Sequence, residues 1–139
     1  MSVEANKVLV RKYMEEGFNS GNMVIFDEAF DPDFLDHNGF AYQKPGLTEV
    51  KRAYELFRAA FPDLSVTIED MVAEEDRVVV RSVLQAAHLN AFLGLPPTGR
   101  HIEVESISIF RIAKGKILER WGLNTDFMRQ LGDPRRDTV

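Results

Sequence analysis

The chain has 139 residues, is 45% hydrophobic and 28% charged, and carries a net charge of −5, which predicts one globular domain over residues 1–139. The acidic balance lacks the basic face that a nucleic-acid binder needs, and no stretch approaches the roughly 18 apolar residues of a membrane helix. The absence of cysteine excludes disulfides, thiolate metal sites and a thiol nucleophile, and a start with no signal-like apolar run makes the cytoplasm the expected location.

Residues 3–18 are predicted as a helix with Ser2 as its N-cap. Val3, Val10, Tyr13, Met14, Gly17 and Phe18 mark one side of it at helical spacing. Asn19-Ser20-Gly21-Asn22 breaks that helix, a second spans residues 23–30, and Asp31-Pro32-Asp33 ends it. Residues 34–37 form a short extended piece before the Asn38-Gly39 turn dipeptide. A third helix covers residues 47–61, with Gly46 or Thr48 as its cap.

After Pro62 the hydrophobic period falls from about 3.6 to 2. Strands are predicted over residues 64–72, 77–88, 102–112 and 116–124, separated by turns at 74–76 and 114–115 and a Pro/Gly-rich loop over 90–100. A short helix over residues 125–131 and a loose tail over 135–139 finish the chain. Helices followed by a four-stranded meander argue an α+β fold with an antiparallel sheet.

Period 2 sorts the strand residues onto two faces. Ile102, Val104, Ser106, Ser108, Phe110 and Ile112 share one face, where small hydroxyls sit between large apolar side chains. That pattern fits a packed core or the wall of a ligand pocket with two hydrogen-bonding points. Glu103, Glu105, Ile107, Ile109 and Arg111 share the other face. On the last strand Leu118, Arg120, Gly122 and Asn124 alternate with Glu119, Trp121 and Leu123. Arg120 and Asn124 would need partners if they faced a sealed interior. Trp121 suits packing or a subunit interface.

Asp36-His37 sets a carboxylate beside an imidazole, a pair that can serve as acid and base. Neighbouring strand residues point to opposite faces, so one of the two enters a pocket, and either could instead bond the following turn. His88 closes a strand before the Pro-rich loop, where an orienting bond to backbone competes with a role on a ligand. Asp126 could cap the terminal helix or act as an acid. No phosphate loop, serine elbow or i, i+4 metal pair occurs, so no cofactor and no metal are expected.

The run Phe92-Leu93-Gly94-Leu95-Pro96-Pro97-Thr98-Gly99-Arg100 resembles the FxGxPPTG[KR] loop of the SnoaL-like polyketide cyclases, members of the NTF2-like superfamily. Phe18-Asn19-Ser20-Gly21, Phe34-Leu35-Asp36-His37, Ala60-Phe61-Pro62-Asp63, Phe110-Arg111-Ile112 with Gly115-Lys116-Ile117, and Arg129-Gln130-Leu131-Gly132-Asp133-Pro134 match in the same order. The resemblance implies a cone of N-terminal helices on a curved antiparallel (mixed) sheet around a ligand cavity, assembled as dimers or tetramers through the outer sheet face. It also implies a cofactor-free ring closure in which a cavity Asp is the acid/base and a neighbouring His supports it. Anchored on Arg111-Ile112 and Gly115-Lys116-Ile117, the resemblance puts the cyclase His on Ser108 and the cyclase Asp on Gly122, while another placement of the gap between Trp121 and Gln130 brings Asn124 or Asp126 nearer the catalytic position. An aromatic residue on the first helix falls on Phe18 and a polar residue on Asp36.

The expected function is therefore a cofactor-independent enzyme acting on a small apolar carbonyl compound. Asp36 or Asp126 would be acid/base, with Phe18, His37, His88, Ser106, Ser108, Phe110, Arg120 and Asn124 around the substrate. The alternative is a ligand-binding or dimerisation module that has lost the reaction.

Overall fold

The fold is taken from a computed structural model of the chain, which describes residues 2–38 and 44–132. Gly39 of the expected turn, the Asp133-Pro134 stop and the 135–139 tail lie outside the described residues.

Helix α1 (Val3–Lys12) starts on Ser2, whose hydroxyl accepts from the Ala5 amide at 3.0 Å. The predicted single helix then changes character. Tyr13–Phe18 is π-helical, with the Asn19 amide bonded to the Met14 carbonyl at 3.1 Å, five residues back. Helix α2 (Met23–Ala29) is capped by the Asn22 side chain, which accepts from the Val24 amide.

Strand β1 (Phe30–Asp36) begins earlier than expected, taking in Phe30 and running through Asp31-Pro32-Asp33. A proline with no N–H is tolerated here because β1 is an edge strand whose register shifts between Phe30 and Leu35. Helix α3 (Leu47–Ala60) and strands β2 (Ser65–Glu74), β3 (Arg77–Ala87), β4 (His101–Ala113) and β5 (Lys116–Asn124) follow the expected order, and α4 (Phe127–Gln130) is a single turn.

The sheet order is β1-β5-β4-β3-β2. β2 to β5 form the expected antiparallel meander, and β1 joins it in parallel alongside β5, so the α+β fold has a mixed sheet. A bulge between Arg111 and Ile112 pairs Ile112 with Ile117 and leaves Leu118 as the extra residue, so Leu118 does not hold the face assigned to it by simple alternation.

The helices cover one side of this sheet and form two aromatic clusters with it. One joins Val10, Phe26, Phe30, Phe34, Tyr54 and Phe110; the other joins Phe57, Phe61, Phe92, Ala86, Ile102 and Val104. Phe18 packs against both. Among the described residues no helix is long and apolar enough to cross a membrane.

Candidate active site

Between the two aromatic clusters the inner face of the sheet narrows to small polar residues. Ser82 on β3 pairs across the ladder with Ser106 on β4, and Ser108 pairs with Gly122 on β5. Ser82 and Ser108 are each 7% exposed. Phe110 lies beside them, buried and opposite Arg120.

Arg120 organises this seam. Its Nη1 donates to Asp36 Oδ1 at 3.0 Å and Oδ2 at 3.2 Å, and its Nη2 donates to Ser108 Oγ at 3.0 Å. Both partners of the ion pair are largely covered, with 25% of the Arg120 side chain and 14% of the Asp36 side chain exposed. The parallel pairing of β1 with β5 sets Asp36 beside Arg120 and so brings residues 84 positions apart into contact. Asp36 also accepts from the Asn38 amide at 3.1 Å, the turn bond expected of it, and Asn38 Oδ1 in turn accepts from the Gly122 amide.

The guanidinium stands over Gly122. A Cβ at that glycine would lie 2.3 Å from Arg120 Nη2 and 2.6 Å from Cζ. Gly122 and Ser108 thus both serve Arg120, one by leaving room and the other by accepting a hydrogen bond.

Alternation sends His37 to the opposite side from Asp36. His37 stacks on Trp121 at 4.6 Å between ring centres and bonds Glu119 Oε2 at 2.7 Å, on the outer face of the sheet. Arg77 covers the same Trp121 ring at 5.0 Å. His37 is therefore not brought to the Asp36 site.

Asp126 is also apart from it. It has a left-handed backbone, is half exposed, caps no amide with its side chain and pairs with Arg129. Asn124 is opposite Ser106 in register but exposed at the end of β5.

His88 is fully buried under the Pro-rich loop, stacked on Phe61 at 5.3 Å. The Thr98 amide donates to His88 Nδ1 at 3.3 Å and the Thr98 hydroxyl lies 3.0 Å from the same nitrogen, while Nε2 has no partner among the described residues. It belongs to the second aromatic cluster and not to the Arg120 seam.

Two inner residues escaped sequence reasoning. Ser82 carries the same signal as Ser106 and Ser108, a hydroxyl among alternating apolar residues. Tyr13 looked like an ordinary core position of a helix. Its ring packs edge-on against Phe30 at 4.7 Å and Phe110 at 6.2 Å, and the charges of Arg120 and Asp36 act on its hydroxyl. Burial, the largest influence, pushes that hydroxyl's pKa up, against the smaller pull of Arg120.

Among the described residues no group of three His, Asp or Glu side chains could hold a metal ion. Two hollows open elsewhere. One of about 330 Å³ borders Ser20, Tyr54 and Arg58, and one of about 570 Å³ borders the β2–β3 turn and Ile109. Neither is lined by Asp36, Ser108 or Arg120, so the site is defined by its polar contacts and not by these depressions.

The profile of the SnoaL-like polyketide cyclase family matches residues 8–131. This chain belongs to that family. It is 31% identical to the nogalonic acid methyl ester cyclase of Streptomyces nogalater over 132 residues, covering 89% of this chain and 96% of that protein. It is also 31% identical to the aklanonic acid methyl ester cyclase DauD of Streptomyces sp. strain C5, over 91% of this chain and 81% of that protein. Among solved structures, TsrD from Streptomyces laurentii superposes with a TM-score of 0.85 at 25% identity, covering 95% of this chain and 98% of that one. IdmH from Streptomyces antibioticus gives 0.76 at 30% identity, with coverage of 92% and 99%.

Proposed function

We propose that this SnoaL-like chain is a cofactor-independent enzyme that acts on an apolar, polyketide-like carbonyl compound by acid–base chemistry. The observation that carries the reading is the inward-facing Asp36–Arg120–Ser108 connection above Gly122. Asp36 accepts a proton from carbon next to a carbonyl, and Arg120 takes up the charge that appears on oxygen. Ser108 holds the guanidinium in place, and Phe18, Phe110 and Ser106 supply apolar wall and a hydroxyl. Asp126, paired with Arg129 at the surface, is given no step.

The methyl esters named for the two relatives, nogalonic and aklanonic, are the first compounds to try. Wild-type protein is expected to convert at least one, and Asp36→Asn to lower turnover by about a hundredfold or more. Unchanged turnover in Asp36→Asn would refute the assignment. Ester binding that raises the melting temperature with no conversion by wild type would favour a binding module, the reading that Ser108 and Gly122 in the cyclase positions support.

The outer sheet face carries Ile107, which is 51% exposed, Leu123, which is 76% exposed, and Trp121. A homodimer or homotetramer through this face, in the cytoplasm, accompanies the proposal, and light scattering of the purified chain tests the assembly.

A further inference from the structure

The polar atoms of the inner seam are unevenly matched. Arg120 spends Nη1 on Asp36 and one N–H of Nη2 on Ser108. Its Nε and the second N–H of Nη2 have no acceptor among the described residues. The Tyr13 hydroxyl has no hydrogen-bond partner among the described residues either, yet it is not one of the sealed, unpaired atoms, which are Asn6 Oδ1 and His88 Nε2. The residue keeps some open surface although its ring is packed among Phe26, Phe30 and Phe110. The groups left over on this side are thus donors, and the carboxylate beside them already has a cation.

The backbone explains how Tyr13 comes to be there. Tyr13 and Phe18 are five residues apart, about 140° around an α-helix with 3.6 residues per turn, so an α-helix would hold them only at the two edges of the side they were predicted to mark. The π-helical Tyr13–Phe18 segment, with bonds five residues back, brings both ends to one side. Phe18 then meets Tyr54 at 5.1 Å, and Tyr13 meets Phe110, the ladder partner of Arg120.

We propose that Tyr13 and Arg120 together bind the enolate oxygen of a 1,3-dicarbonyl substrate, so that protein donors carry the anion. This rests on Asp36 as the proton acceptor. The C–H bond between the two carbonyls breaks, its proton goes to an Asp36 oxygen, and its electron pair ends on a carbonyl oxygen. The negative charge thereby moves from one side of the Arg120 guanidinium to the other, and the total charge of the site does not change. The Tyr13 phenol, kept protonated by burial, donates to the same oxygen.

The probe is benzoylacetone, an apolar aromatic 1,3-diketone whose enolate differs from its neutral forms in near-ultraviolet absorption. It is titrated into the full chain at a pH where the free diketone is neutral. Wild type is expected to bind it and to raise the bound enolate fraction. Tyr13→Phe keeps the ring and its packing, and is expected to lower the enolate-to-neutral ratio at saturation by about ten- to a hundredfold. Arg120→Lys, which keeps a charge but loses the fork, is expected to lower it as well. A purely structural Tyr13 would leave that ratio unchanged at saturation. Binding as the neutral diketone, no binding by wild type, or an unchanged ratio in Tyr13→Phe overturns the proposal. Ester turnover that falls in Asp36→Asn but not in Tyr13→Phe would overturn it too, while leaving the Asp36 reading intact.

Discussion

The Arg120 guanidinium occupies the space that a side chain at Gly122 would need, with Nη2 2.3 Å from the ideal Cβ position. Gly122→Ala therefore cannot coexist with the observed Arg120 conformer. The clashing atoms are the far end of a flexible chain, so the guanidinium gives way and the sheet stays. The expected result is a fold destabilised by about 1–3 kcal/mol, the cost of leaving Asp36 without its cation, with Arg120 turned away from Asp36 and Ser108. A crystal structure of the variant together with a thermal melt checks both parts.

The Asp36–Arg120 pair should also be worth stability on its own. Its two side chains are mostly covered, and each oxygen of the carboxylate is met by Nη1. Removing one partner leaves the other charge partly desolvated, at a cost of about 1–3 kcal/mol. The double-mutant cycle of Asp36→Ala and Arg120→Ala is expected to show the double variant less destabilised than the sum of the singles, with a coupling of about 1–2 kcal/mol. Strict additivity in urea melts would contradict a direct pair.

This pair also marks where sequence reasoning stops. Alternation along β5 correctly set Arg120 with Gly122 and showed that an inward arginine needs a partner. Alternation likewise separated Asp36 from His37. The partner itself stayed hidden because Asp31-Pro32-Asp33 reads as a stop, so the start of β1 and its parallel pairing with β5 were missed. The meander was legible because each of its strands keeps period 2 and each turn has its own Gly, Asp or Glu punctuation. Tyr13 was legible as a position on the packed side of the helix, but its place near Arg120 and Asp36 was not. A π-helical segment alters the turn per residue between Tyr13 and Phe18, and no spacing rule based on 3.6 residues signals it.

On the outer face, Glu119 predicts a pH dependence. The hydrogen bond from His37, and next that from Arg111 at 2.5 Å, hold its carboxyl below the ordinary glutamate value of 4.5. The folded chain thus releases this proton more readily than the unfolded chain. The resulting stabilisation is complete above 4.5 and fades as the pH falls through the lower folded value. Glu119 keeps 22% of its side chain exposed, so solvent screens part of the effect. Urea melts between about pH 6 and 3 should show a shallower acid loss for Glu119→Gln than for wild type. Identical slopes would show that the two bonds carry no differential stability.

The Pro-rich loop is tied down through His88, and that tie can be cut at Thr98. The Thr98 amide and hydroxyl both approach Nδ1, at 3.3 and 3.0 Å, and the hydroxyl also accepts from the Arg100 amide at 3.2 Å. His88 reinforces the loop with its backbone, donating to the Arg100 carbonyl and accepting from the Gly99 amide. Thr98→Val keeps the shape and the amide bond but removes the hydroxyl from a fully buried ring whose Nε2 has no partner among the described residues. The expected loss is about 1–2 kcal/mol of global stability, because the Arg100 amide loses its acceptor and Nδ1 loses its hydroxyl contact. Amide exchange should rise first at Gly99 and Arg100, while Val78 and Val80 in the β3 core stay protected. Uniformly faster exchange would place the damage in the whole sheet and not in the loop.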